Sequence, residues 1–327
     1  MTTTSVSINQ ANKHSDFFVI QQFFSKIGND LNLTQAVLIN EYLNNSDSYG
    51  SFIYLMDHDE VVGGLGNIAF DLLKAGQIHN TLMLDRVLVS KPYWGKKVFD
   101  RLISESDKLS KSLSRNGFFW GVTPVPKSFV RIGYHAYNTL REYTLALELF
   151  DCKLNNTNIN LVYNYSDDIQ SYLLARSVRH YDTYFLMYSQ QKYSWFVSEK
   201  DLLKRKMLRF YYQEKMIGFA VTRIASKNTM AIDDIYIDED FFPPVLKFIV
   251  SEVKKSGYKK INIIVNTANE VLSALLAKFI FFGFDEINYN GQLVVKSFDG
   301  SPLTAEQLHW TRMWGPPNWL PPRTKQM

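Results

Sequence analysis

The chain repeats its own plan at domain length. A strand followed by a polar stop at residues 5–16 recurs at 158–168, with Ile8 answering Ile159. The turn from Asp59 to Gly63 recurs from Glu214 to Gly218, and a strand ending at Val89 is answered by one ending at Ile237. The helix end Phe129-Val130-Arg131-Ile132-Gly133-Tyr134 is answered by Phe279-Ile280-Phe281-Phe282-Gly283-Phe284. These pairs are offset by 151, 155, 148 and 150 positions. Such a period exceeds any solenoid unit and matches a whole domain. The expectation is two similar α/β domains in tandem.

Composition sets the outer limits. With 46% hydrophobic and 21% charged residues among 327, each half can bury a core of its own. Cys152 is the single cysteine, which removes internal disulfides and thiolate metal clusters and points to a reducing, cytoplasmic setting. Residues 1–14 lack the apolar core of a signal peptide, and the apolar run 275–284 is broken by Lys278 and too short to span a bilayer. No membrane partner is expected. A net charge of +4 permits an anionic small ligand without demanding nucleic acid. Six histidines without an HExxH spacing argue against a metal site, and no P-loop or Gly-x-Ser-x-Gly pattern is present.

The periodicities give an element order. In the first half, residues 4–10 alternate as a strand, and 14–27 and 34–44 carry apolar residues at helical spacing. Residues 52–56 and 61–70 flank a polar turn and predict a hairpin; 82–89 predicts a strand that Pro92 stops. Residues 97–113 set Val98, Leu102, Leu109 and Leu113 on one helical stripe. A strand at 118–122, a short helix at 127–132 and one or two strands at 139–150 close the half. The second half follows with a strand at 159–163, a broken helical stretch at 169–206, a hairpin at 207–225 and a strand at 230–237. A helix at 243–256, a strand at 261–265, a helix at 270–282 and a strand at 292–297 complete it. The domains are expected at 1–152 and 153–299, followed by a tail at 300–327 rich in tryptophan and proline.

The segment from Asp85 to Phe99 is the most informative stretch. A strand runs into a tight loop that opens directly into an amphipathic helix. The first N–H groups of such a helix lack internal partners and carry partial positive charge, which suits a phosphate or pyrophosphate. Gly95 allows close approach, and Lys96 and Lys97 add full charges.

Here the sequence resembles the GNAT superfamily of acyl-CoA-dependent N-acyltransferases. That family's strand–loop–helix signature reads valine, any residue, proline, then Arg/Gln-x-x-Gly-x-Gly/Ala. Val89 matches, Pro92 falls one residue late, and the six-residue element is Trp94-Gly95-Lys96-Lys97-Val98-Phe99. Trp94 replaces the family's Arg/Gln, and Lys97 and Phe99 replace its two small residues. The later signature, an aromatic ahead of a Leu-Gly-Phe-like helix end, is matched at 129–134 and again at 279–284. By element order the resemblance covers residues 4 to 298.

The resemblance implies an α+β fold with a mixed sheet in each of two GNAT-like domains, and a V-shaped gap between the fourth and fifth strands. The pantetheine arm of acetyl-CoA or another acyl-CoA would bond to the backbone of Val87, Leu88 and Val89. Its pyrophosphate would lie over Trp94, Gly95, Lys96, Lys97, Val98 and Phe99. The family's usual acid, a tyrosine, is replaced by Phe129, with Ser128 beside it. In the second half the equivalent loop is Asp238-Glu239-Asp240-Phe241-Phe242-Pro243-Pro244, whose carboxylates and prolines oppose a pyrophosphate.

The catalytic candidates are Asp85 as a base on the substrate-side strand, Ser128 as the hydroxyl next to Phe129, and His135 as a proton acceptor near neutral pH. Asp85 also reads as an ion-pair partner of Arg86. The leading function is acyl transfer, acetyl first, to a primary amine on a small molecule or peptide. The alternatives are a Fem-like transferase drawing on aminoacyl-tRNA, and a non-catalytic GNAT-like binding module. Modified bases remain among the possible acceptors. The tail reads either as a pocket lid, a partner dock or a structural clasp.

Overall fold

The computed structural model describes residues 6–27, 33–43, 50–111, 117–150, 158–196 and 204–311. Cys152, Leu113, Trp314, Trp319 and most of the 150–158 junction lie outside the described residues.

In the first half the strands are β1 Val6–Ala11, β2 Gly50–Asp57, β3 Glu60–Lys74, β4 Gln77–Val89, β5 Phe118–Thr123, β6 His135–Tyr137 and β7 Leu140–Ala146. The helices are α1 His14–Ile27, α2 Gln35–Tyr42, α3 Val98–Ser110 and α4 Lys127–Val130. The second half has β8 Ile159–Tyr163, α5 Asp168–Arg179, β9 Phe185–Leu186, α6 Gln190–Phe196, β10 Lys206–Tyr212 and β11 Lys215–Ser226. It continues with β12 Thr229–Ile237, α7 Phe242–Lys255, β13 Lys260–Asn266, α8 Glu270–Phe281, β14 Asp285–Ile287 and β15 Gln292–Ser297.

Local chemistry explains these boundaries. The hairpin of β2 and β3 pairs Asp57 with Glu60, and His58 takes the left-handed φ of 54° that so tight a turn requires. Thr34 caps α2 by accepting from the Val37 N–H at 3.3 Å. Asn269 does the same for α8 through the Leu272 N–H. Along α3 the buried positions are Val98, Leu102, Ile103, Ser106 and Ser110, so the expected stripe is shifted and Leu109 is only half-buried. The broken stretch after α5 contains a strand, β9, which pairs with Leu72 and Leu73 of β3.

The first sheet runs β1-β2-β3-β4-β5-β15-β6 and the second β14-β7-β13-β12-β11-β10-β8. Each half of the sequence therefore lends its last long strand to the other sheet: β7 lies between β13 and β14, and β15 between β5 and β6. The compact units are interleaved accordingly. One comprises Met1–Asp71, His79–Ala136 and Val294–Leu303; the other comprises Leu72–Ile78, Tyr137–Leu293 and Thr304–Met327.

Each unit has its own apolar core. The first gathers Leu55, Val62, Leu65, Leu82, Val98, Leu102, Phe119, Phe129 and Tyr134. The second gathers Phe210, Ile235, Val245, Leu246, Ile249, Ile261, Val265 and Phe279. Two glycines of β3 bring helices close to the first sheet. A Cβ on Gly63 would lie 2.8 Å from Val98 Cγ1, and one on Gly66 would lie 2.4 Å from the Tyr42 hydroxyl. Those approaches seat the first residue of α3 and the last of α2 against the sheet.

Among the described residues, no helix is long and apolar enough to cross a membrane. Among them, too, no group of three or more His, Cys, Asp or Glu is placed to hold a metal.

Candidate functional site

In the first unit, β4 and β5 run parallel but pair only at Leu82–Phe119 and Met83–Trp120. A Cβ on Gly121 would still lie 3.0 Å from the Leu84 carbonyl oxygen. Beyond that point the ladder stops, while β4 continues to Val89 and β5 to Thr123. The strands thus fork, and Val87, Leu88 and Val89 are half-buried along the fork.

The loop at the mouth of the fork is held from both ends. Ser90 N–H donates to the Val62 carbonyl at 2.9 Å, and a 3-10 turn at Lys91–Tyr93 follows. The Tyr93 hydroxyl donates to buried Asp57 at 2.5 Å, and that bond, aided by partial burial, pushes its pKa up to about 12. Tyr93 is therefore a fixed post, with the Lys96 ammonium 4.8 Å above its ring.

Gly95 follows with φ 77°, and nothing lies within 4 Å of where its Cβ would be. Lys97 occupies the position where the resemblance expects the first small residue, and its φ of 60° is the left-handed conformation that favours glycine. The residue type of the family's glycine has changed while the conformation it favours is present. The N–H groups of Gly95, Lys97, Val98, Phe99 and Asp100 have no acceptor among the described residues. Lys96 and Lys97 are exposed beside them. Asp100 is the one carboxylate in the first turn of α3. Arg131 takes both of its oxygens, one at 3.0 Å, and this pairing holds its pKa below the usual carboxylate range. The result is an open, amide-lined, positively charged cradle.

Trp94 and Phe99 do not fill it. Trp94 is 65% exposed, and its indole N–H donates to the Val89 carbonyl at 2.9 Å. Phe99 turns inward, edge-on to Phe129 at 5.1 Å.

The catalytic candidates lie apart in kind. Asp85 is only 4% exposed and belongs to a buried cluster that sequence reasoning covered only through Arg86. Tyr42 donates to it at 2.5 Å, and Arg86 pairs with it. The same guanidinium reaches Glu41 at 2.6 Å and the Tyr42 oxygen at 3.0 Å. Arg86 has a left-handed φ of 47°, which breaks the in-and-out alternation of β4. That break lets consecutive residues reach one cluster. Burial opposes charge on Arg86, but Asp85 and Glu41 outweigh it and raise its pKa well above the ordinary value. Burial, then Asp85, raises Tyr42 strongly.

Ser128 and His135 are exposed, and neither is hydrogen-bonded to Asp85. Phe129 is buried, packed against Phe99 and, at 5.4 Å, against Tyr134. It offers no proton.

The second unit has the same fork with different contents. Here β12 and β13 pair from Thr229–Lys260 to Ile232–Ile263 and then separate. The following loop carries Asp238, Glu239 and Asp240, and α7 begins with prolines in its first turn, so it lacks the amides that the first loop presents. A cavity of about 480 Å³ beside it is lined by Arg176, Arg179, His180 and Lys215 as well as by those carboxylates. The fork itself holds the chain's own residues. Thr311 bridges Val265 antiparallel, its hydroxyl donates to Asp234 at 2.8 Å, and His309 stacks on Tyr236 at 4.6 Å.

His309 is fully buried, with neither ring nitrogen hydrogen-bonded among the described residues. Burial, then the nearby Arg176, pushes its pKa well below the ordinary value. His309→Phe keeps the stack without the unmet nitrogens and is expected to stabilise the protein by about 1 kcal/mol at pH 8. Below about pH 6.5 the unfolded wild-type chain takes up a proton that the folded imidazole refuses. The variant's advantage must therefore widen as pH falls, which melting curves at pH 8 and pH 5.5 check.

No protein-family model and no curated protein matches the sequence. Solved structures do. A GCN5-related N-acetyltransferase from Anabaena variabilis superposes with a TM-score of 0.67 at 10% identity, over 90% of this chain and 73% of that one. A probable N-acyltransferase from Enterococcus faecalis gives 0.66 at 12% identity, over 90% and 73%. A tandem GNAT protein from the clavulanic acid biosynthesis pathway gives 0.59 at 10% identity, over 91% of this chain and 100% of that one. The forked sheets, the loop-to-helix cradle and these superpositions agree: the chain carries the GNAT fold twice, in tandem.

Proposed function

We propose that the first unit is an acyl-CoA-dependent N-acyltransferase site that places an acetyl or other acyl group on a primary amine. The observation that carries this reading is the pairing of a forked β4–β5 with a cradle of amides, Gly95 and Lys97 to Asp100, that have no acceptor among the described residues. A diphosphate satisfies those donors, and Lys96 and Lys97 neutralise it. A pantetheine chain in the fork would run beside Val87 to Val89 as an added strand.

The chemistry asked of the protein is modest. The amine lone pair attacks the thioester carbon, the C–N bond forms, and the C–S bond breaks. The amine loses one proton, and the departing thiolate gains one. Rate comes from alignment along the fork and from removal of the amine proton. With Phe129 in place of an acid, the thiolate takes its proton from solvent.

Calorimetric titration with acetyl-CoA and longer acyl-CoAs tests the proposal; absence of heat with every member would end it. A second outcome is also distinguishable. Phe129 and Phe279 at both acid positions favour a binding module without turnover, which would show acyl-CoA binding but no product with any amine. Retention of aminoacyl-tRNA on filters, without acyl-CoA binding, would instead support a tRNA-dependent transferase.

Trp94 supplies a finer check. Its indole holds the Val89 carbonyl that a pantetheine amide would need. Trp94→Phe removes that competitor, worth about 0.5–1.5 kcal/mol, and is expected to tighten acetyl-CoA binding roughly 2- to 10-fold. Weaker binding would show that the ring itself contacts the ligand.

A further inference from the structure

We propose that the fork of the second unit is a binding site for an extended peptide strand, and that its resident ligand is the chain's own segment Leu308 to Thr311, which follows a 3-10 turn at Ala305–Gln307. The inference stands on that unit alone and does not depend on acyl-CoA binding by the first.

The segment is recognised mainly through its backbone. The Tyr184 N–H donates to the Gln307 carbonyl at 2.7 Å, and the His309 N–H donates back to the Tyr184 carbonyl at 3.1 Å. On the other side, the Asn266 N–H donates to the Trp310 carbonyl at 3.1 Å, and Thr311 bridges Val265. Two fully buried asparagines read further carbonyls. Asn266 Nδ2 donates to Ala305 at 2.7 Å and Leu308 at 2.8 Å, and Asn269 Nδ2 donates to Glu306 at 2.6 Å. Every carbonyl from Ala305 to Leu308, and that of Trp310, is thus met by a group of the groove.

Side chains add selection. Leu308, His309, Trp310 and Thr311 are all fully buried. Asp234, itself buried, accepts from the Thr311 hydroxyl and from Tyr188 at 2.6 Å. The ligand class is therefore an extended peptide with an apolar residue, two aromatic rings and a small hydroxyl in succession. Adding a strand to the side of β13 that β12 leaves free beyond Ile263 follows the general mode by which sheets bind peptides. The loop of this unit, with its carboxylates and prolines, gives no diphosphate cradle to favour a competing acyl-CoA.

A protease site inserted between Gly300 and Ser301 of the full chain provides the test, because both residues are exposed. After cleavage, the fragment from Ser301 onward is expected to co-elute with the body on gel filtration and to exchange with a fluorescent synthetic copy. A copy carrying Trp310→Ala and Thr311→Val should bind at least tenfold more weakly, and millimolar acetyl-CoA should release nothing. Separation of the fragment from a body that keeps its melting temperature would overturn the proposal. So would its displacement by acetyl-CoA, which would make the fork a carrier groove. If the cleaved protein aggregates, the uncut Thr311→Val variant decides: exchange of the 308–311 amides should accelerate at least tenfold while that of β1 to β4 does not. Unchanged exchange would also overturn it.

Discussion

Replacing Lys96 and Lys97 together with glutamate should weaken acetyl-CoA binding by about 100-fold or more, with the melting temperature nearly unchanged. Each lysine contributes a charge-assisted contact to a diphosphate of roughly 1.5 kcal/mol or more, and two such losses correspond to about 100-fold. Glutamate adds repulsion on top. Both residues are exposed and neither forms a salt bridge among the described residues, so the folded state loses little. The remaining affinity of wild-type protein should also fall with added salt, since the cradle is solvent-facing. Calorimetry on wild type and variant, in low and moderate salt, measures both effects. An unchanged dissociation constant would move the ligand away from this loop.

Arg86→Met is expected to have the largest effect on stability. The guanidinium is the shared partner of Glu41, Asp85 and Tyr42, and its side chain is 8% exposed while that of Glu41 is fully buried. Methionine keeps the apolar stem but leaves two buried carboxylates without their cation, at a cost of about 3–5 kcal/mol. For domains of this size that lowers the melting temperature by roughly 10 °C. Adding Glu41→Gln should recover part of the loss, because one of the two uncompensated charges is removed. A melt indistinguishable from wild type would show that the cluster is neutral or hydrated, and the role given to Arg86 as the shared cation of Glu41 and Asp85 would fall.

Local rules read much of this molecule from its sequence. The duplication shows as short patterns that recur, and the β2–β3 hairpin, the stop at Pro92 and the loop-to-α3 segment are each encoded within a few residues of where they appear. What escaped depends on distant partners. Residues 140–146 and 292–297 alternate as any strand does, and nothing in that alternation says which sheet will receive them. Glu41 sits at the end of a helical pattern and reads as a surface residue until Arg86 is folded against it. Likewise, Leu308 to Thr311 have no periodicity, because their order comes from Asn266, Asn269 and Tyr184. Lys97 escaped in another way: a lysine gives no hint that its backbone will be left-handed.

Amide hydrogen exchange with and without saturating acetyl-CoA addresses the central claim most directly. The N–H groups of Gly95 and of Lys97 to Asp100 lack acceptors among the described residues and should slow markedly when a diphosphate binds them, while the loop from Asp238 to Phe242 stays unchanged. Ligand binding that leaves residues 95–100 exchanging at their free rate, or that protects residues 238–242 instead, would contradict the account.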